Sequence, residues 1–175
     1  MFSADRYVTA LRFAAGRHHG QLVPGSELPY VVHVTSVAAE VLAAIAVDAV
    51  GDPDLAVACA LLHDTIEDTP TTRDELAREF GTAVADGVLA LTKDKRHADP
   101  MADSLSRIQA QPREVWIVKL ADRITNLATP PRQWTKDKCR AYRAEGLAIA
   151  DALGRACAAL DARLRARADA YAAFC

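Results

Sequence analysis

The segment LLHDTIEDT, residues 61–69, places one imidazole and three carboxylates at the end of an apolar run: His63, Asp64, Glu67 and Asp68. On a continuing helix, spacing by four sets Glu67 over His63 and Asp68 over Asp64. Ionised groups at the edge of a core need a compensating charge, which a divalent cation supplies. An ordinary solvated helix end would use the same residues. A second position is Asp122 in REVWIVKLADRITNL, where Ile117, Leu120, Ala121, Ile124 and Leu127 form a core-facing stripe. Asp122 and Asn126 share the adjoining face, and either a metal or an internal ion pair to Lys119 or Arg123 accounts for such a carboxylate. A third is His33 in LPYVVHV. A histidine in the first turn of a helix serves as cap or packed ring as readily as ligand.

These residues sit on elements that read as helical throughout. The chain is rich in Ala and Leu, with apolar residues spaced by three and four rather than alternating. The spacing predicts a first helix over Ala4–His18, followed by the Gly- and Pro-dense loop GQLVPGSELPY. A second helix starts near Val31, carries Val34, Val37, Ala38, Val41, Leu42 and Ile45 inward, and ends before the turn GDPD at 51–54. A third runs from Pro53 to about Ile66 and is apolar nearly all round, so it belongs in the core. Thr72 with Glu75 predicts a cap for a short fourth helix stopped at Gly81, and a fifth reaches about Leu91. KDKRHADP reads as a loop. Helices over 101–110, 112–128, 135–153 and 155–173 complete an all-α, single-domain expectation for residues 1–175. The charged face of the last helix is assigned to solvent or to contact between copies.

Composition narrows the function classes. The 175 residues carry a net charge of −2, so no basic footprint marks nucleic acid or an anionic membrane as main partner. Cys59, Cys139, Cys157 and Cys175 form no CxxC pair, which argues against a disulfide framework or structural zinc. No apolar stretch approaches the roughly 18 residues of a membrane span, and no signal peptide pattern opens the chain. The expectation is a cytoplasmic protein.

Together, in this order, the segments RHHGQ (17–21), PYVVH (29–33), LLHDTIEDT (61–69), LTKDK (91–95) and KLADRITNL (119–127) resemble the HD-domain phosphohydrolases. The resemblance is to the branch containing the alarmone (guanosine tetraphosphate) hydrolase domains, and it covers roughly residues 5–150. It implies one divalent metal, usually manganese, on His33, His63, Asp64 and Asp122. Two imidazoles and two carboxylates are a mixed N/O donor set suited to such ions. It further implies that Glu67 and Asp68 orient and deprotonate water, and that Asn126 and Thr129 line a nucleoside pocket. By the same resemblance Lys95 reaches phosphate, and Lys138 with Tyr142 closes the site; a solvated lysine beside a packed tyrosine would equally explain the last pair.

The implied reaction is hydrolysis of a nucleotide 3′-diphosphate to pyrophosphate and the nucleoside 5′-diphosphate. Two alternatives stay open: another nucleotide or cofactor phosphate such as NADPH as substrate, and a non-catalytic nucleotide-binding module. One departure bears on the choice. Where the alarmone hydrolases commonly carry an Arg-Lys pair after the HxGQ motif, this chain has Val23 and Pro24. The loss of a stacking guanidinium weakens the case for guanine.

Overall fold

The computed structural model describes residues 2–94 and 96–175. Among these, ten α-helices form and no strand, apart from one isolated antiparallel bridge between Leu22 and Pro29. Helix α1 (Ala4–Arg17) is capped by Ser3, whose hydroxyl accepts from the Arg6 amide. The loop that follows is held by the Val23 and Tyr30 amides, which donate to the Leu28 and Gln21 carbonyls. Helix α2 (Val31–Val47) then buries Val34, Val37, Ala38 and Val41, as the spacing predicts.

Helix α3 (Pro53–Leu62) is capped by Asp52 and buried on almost every face. It ends four residues earlier than its apolar pattern suggests, and a single turn, α4 (Thr65–Asp68), follows. The reason is local competition for carbonyls. The Thr65 hydroxyl donates to the Leu62 carbonyl at 2.7 Å, and the His63 ring takes the Ala60 carbonyl at 2.8 Å. His63 and Asp64 stay right-handed in backbone but leave the helical repeat.

Helix α5 (Arg73–Phe80) starts at the Thr72 cap and stops at Gly81, whose φ of 88° and ψ of 161° also launch α6 (Thr82–Leu91). In α6, a Cβ on Gly87 would lie 2.8 Å from the Cys59 sulfur and 3.0 Å from Val115, so glycine permits α6 to approach α3 and α8. Helix α7 (Pro100–Gln109) is capped by Asp99. Helix α8 (Arg113–Asn126) is the central element: it packs against α2, α3, α9 and α10, and buries residues 114–124 on all sides. Helix α9 (Lys136–Leu153) leads through a 3₁₀ turn at Gly154–Ala156 into α10 (Ala158–Tyr171), which ends in a second such turn. Buried apolar residues from Ala10 to Tyr171 form one contiguous cluster. No helix of the described residues is long and apolar enough to cross a membrane.

Candidate metal centre

Three helices deliver the metal-donor candidates to one point. His33 comes from the first turn of α2, His63 and Asp64 from the interruption after α3, and Asp122 from the buried middle of α8. The Nε2 atoms of His33 and His63 lie 3.3 Å apart. Asp64 Oδ2 is 2.9 Å from His63 Nε2 and 3.5 Å from His33 Nε2. Asp122 Oδ1 is 3.5 Å and 3.6 Å from the same two nitrogens. His33, His63 and Asp64 offer donor atoms that all lie within 4.8 Å of one another.

The donor set fits an ion. Metal–nitrogen bonds of about 2.0–2.1 Å place neighbouring ligands about 3 Å apart, near the separations found here. Orientation also fits. A carbonyl only accepts, so the Ala60 contact requires His63 to carry its proton on Nδ1, which leaves Nε2 as the lone-pair face toward the cluster. His33, His63 and Asp122 are 8%, 3% and 7% exposed.

The carboxylates are themselves held. The Tyr30 hydroxyl donates to Asp64 Oδ2. Lys119 Nζ donates to Asp122 Oδ2 at 3.1 Å, and the Asn126 amide donates to Asp122 Oδ1. The internal ion pair that the sequence offered as an alternative for Asp122 therefore exists alongside the convergence on the histidines. Burial alone would lower both histidine pKa values. The charges and hydrogen bonds of Asp64 and Asp122 outweigh it, raising His33 and carrying His63 well above the ordinary value. Burial likewise opposes ionisation of the two aspartates, but the His63 charge beside Asp64 and the Lys119 charge beside Asp122 hold both carboxyls below their usual range. Without a cation, the four groups neutralise one another.

The turn of α4 keeps Asp68 in register with Asp64, its amide donating to the Asp64 carbonyl at 2.9 Å, while the interruption falls between His63 and Glu67. The two carboxylates have different partners. Glu67 accepts the Lys93 amide at 2.9 Å, on the side where α6 ends. Asp68 accepts from Gln21 at 2.8 Å, on the side of the loop after α1. Gln21 gives its amide hydrogen to that carboxylate, so its carbonyl oxygen faces His18 Nδ1 at 2.7 Å, and His18 must be the donor. The buried His18 ring lies against Tyr30, with centroids 4.7 Å apart. The RHHGQ and PY segments thus brace Asp68 and Asp64. Their motif match was legible in the sequence, but no spacing rule tied them to particular carboxylates.

A cleft of about 650 Å³ opens beside the cluster, with His33 and Asn126 at one end. Thr129 and Tyr142 line it, and so do Val23 and Pro24, the residues standing where the Arg-Lys pair was absent. Lys138 is not among its lining residues: its ammonium sits over the Trp134 ring at 4.3 Å, while Trp134 lines the cleft. Tyr142 packs edge-on to Trp134 and under the Arg123 guanidinium, 4.2 Å from the ring centre. Arg123, 2% exposed, also bonds Glu145 at 3.0 Å, tying α8 to α9. Lys95 lies outside the described residues. Trp134, Arg167 and Tyr171 line the cleft without having been singled out by pattern.

An all-helical frame that gathers two histidines and two aspartates from three distant segments beside a nucleotide-sized cleft defines a class of metal-binding helical proteins. Residues 10–155 match the HD domain family, and the chain belongs to it. It is 40% identical over 124 residues to a guanosine-3′,5′-bis(diphosphate) 3′-pyrophosphohydrolase of Haemophilus influenzae, covering 66% of this chain and 17% of that protein. A GTP pyrophosphokinase of Myxococcus xanthus is 38% identical over 128 residues, 67% of this chain and 16% of that protein. The chain thus spans about a sixth of the length of these two relatives. The guanosine-3′,5′-bis(diphosphate) 3′-pyrophosphohydrolase MESH1 of Mus musculus is nearer in size: 32% identical over 148 residues, 79% of each chain. A solved structure, described as a metazoan ortholog of SpoT that hydrolyzes ppGpp, superposes with a TM-score of 0.80 at 26% identity. It covers 95% of this chain and 96% of that one.

Proposed function

We propose that this chain is a metal-dependent 3′-pyrophosphohydrolase of nucleotide alarmones, one catalytic unit over residues 1–175. The observation that carries the proposal is the approach of the two histidine nitrogens to 3.3 Å, with Asp64 and Asp122 each placing an oxygen 2.9–3.6 Å from both, beside a cleft in the volume range of small-molecule sites. The names of the relatives that match it point to the same reaction.

In this reading His33, His63, Asp64 and Asp122 hold one divalent ion, which we take to be Mn²⁺ because the set has no soft sulfur. When bound, the ion supplies positive charge that polarises the scissile phosphoryl group and makes a nearby water more acidic. Tyr30, Lys119 and Asn126 keep the two aspartates turned toward the ion, and the Ala60 carbonyl fixes the His63 tautomer. Glu67 and Asp68 flank the centre as the carboxylates that orient the attacking water and accept its proton. Water adds to the phosphorus attached to the 3′ oxygen, that P–O bond breaks, and the 3′ oxygen leaves protonated as the hydroxyl. The products are pyrophosphate and the nucleoside 5′-diphosphate. Asn126, Thr129 and Tyr142 border the nucleoside. The four unpaired thiols, three of them buried, match a reducing, cytoplasmic setting.

One observation favours a broader substrate range. Val23 and Pro24 give the cleft an apolar wall with no planar donor fork, so adenine alarmones or a cofactor phosphate such as NADPH compete with guanosine tetraphosphate. The test is a panel of guanosine and adenosine tetraphosphates, NADPH and simple nucleotides incubated with Mn²⁺, with products resolved by ion exchange. Pyrophosphate from a tetraphosphate is the expected product. Orthophosphate alone, or no product from any member, overturns the reading. Asp64→Ala is expected to remove turnover, and unchanged activity in that variant would sink the metal assignment.

A further inference from the structure

The cleft beside the metal centre holds a charge that the proposed chemistry does not use. Part of its wall comes from α10, which contributes Arg167 and Tyr171 one turn apart. Arg167 is the one Lys or Arg among the described lining residues, and Glu40 is the one carboxylate. Glu40 is already neutralised: Arg163, one turn before Arg167, grips it with two parallel bonds of 2.6 Å. The third arginine of α10, Arg165, is likewise paired, with Asp161 and Asp151. Arg167 alone of the three makes no ion pair or hydrogen bond among the described residues, and it is exposed to the cleft.

The remaining lining offers neutral donors such as Ser36, Thr129 and Tyr142 but no further lysine or arginine. Val23, Pro24, Pro131 and Trp134 present apolar surface and aromatic faces. With the 3′-diphosphate at the metal centre and the nucleoside against Asn126, Thr129 and Tyr142, the 5′-phosphates extend along this cleft. Those phosphates keep their negative charge through the reaction and need a cation. An unengaged guanidinium offers a fork of N–H donors whose geometry matches a phosphate, and in a concave wall its charge acts with less screening than on open surface.

We propose that Arg167 is the specificity-determining contact for the non-scissile 5′-phosphates, and that it selects nucleotides carrying phosphate on both the 3′ and 5′ oxygens. The assignment rests on the functional reading above for which end of the substrate enters the cleft. Arg167 lies beyond residues 10–155, so this contact is supplied by the part of the chain outside the family match.

Two substrates separate the roles: a nucleoside 3′,5′-bis(diphosphate), and the same nucleoside 3′-diphosphate with a free 5′ hydroxyl. Arg167→Ala is expected to raise KM for the first by roughly 10- to 100-fold, as for loss of a charged hydrogen bond. Its kcat should stay within about threefold, and both constants should be unchanged on the second substrate. Arg167→Lys keeps the charge without the fork and should recover part of the loss. Binding is read independently of turnover by titrating metal-free protein with nucleoside 5′-diphosphate and with plain nucleoside, following the fluorescence of Trp134 in the cleft. Arg167→Ala should weaken the diphosphate by a similar factor and leave the nucleoside alone. Equal losses on both ligands, or none on either, overturn the proposal while leaving the hydrolase reading intact. Wild-type protein that hydrolyses no 3′-diphosphate yet shows the Arg167-dependent diphosphate binding overturns the hydrolase reading and keeps the anion contact.

Discussion

Individual side chains carry most of the chemistry, and their partners set what each can do. Tyr30 holds Asp64 through its hydroxyl and packs its ring against His33, centroids 5.2 Å apart. Groups that orient ligands in this way contribute about 10- to 100-fold to metal affinity. Tyr30→Phe is expected to weaken Mn²⁺ binding within that range in a metal titration, with the helical signal unchanged. Protons compete for the same site. Burial would favour neutral histidines, but the adjoining carboxylates raise both pKa values, so binding of an ion must displace protons from them. Metal affinity should therefore rise with pH across the range where those protons are lost. Calorimetry in buffers of different ionisation enthalpy would detect their release; pH-independent binding with no proton release would contradict the pairing described. In the sequence, the identities of His33, His63, Asp64 and Asp122 were legible as candidates because their types and order match a known pattern. Of the bracing groups, Lys119 was legible as a local partner three residues before Asp122. Nothing in the local spacing of Tyr30 or Gln21 says which carboxylate each will meet, since those contacts bridge separate elements.

Among the elements, hydrophobic spacing and caps gave the helices nearly to their ends. Ser3, Asp52, Thr72 and Asp99 cap with their side chains where such residues are expected to. The end of α3 escaped this reading because Thr65 and His63, both compatible with a helix, instead spend their polar atoms on the Leu62 and Ala60 carbonyls. Asp64 meets the two histidines from that interruption, and Glu67 and Asp68 go on to accept from the Lys93 amide and from Gln21. Gly81 is a different kind of joint. Its φ of 88° with ψ of 161° is a conformation almost reserved for glycine, while a Cβ there would meet nothing within 4 Å. Gly81→Ala should accordingly lower unfolding stability by about 1–3 kcal/mol through backbone strain alone. A urea titration would measure it, and turnover at low temperature should be retained, since the joint lies away from the metal donors.

At the scale of the molecule, α8 is the shared support. It carries Asp122, meets α2 and α3 that bear the other donors, and holds α9 and α10 that shape the cleft. The same burial protects the thiols. Cys59 is fully enclosed, and desolvation, with the nearby Asp52 and Glu114 charges adding to it, pushes its thiol up to about 12. Cys139 and Cys157 are buried as well, whereas Cys175 is half-exposed. A thiol reagent should label Cys175 quickly in the native protein and reach the other three only on unfolding. Fast labelling of more than one site would show that the core opens more readily than its packing implies. The proposed donors for the ion all precede residue 123, while Trp134, Tyr142, Arg167 and Tyr171 come later in the chain. In the proposed hydrolase, the tool that cuts and much of the glove that fits the nucleotide are thus written in different stretches of the gene. Substitutions in the later stretch are free to retune which nucleotide is accepted while the cutting edge is inherited unaltered.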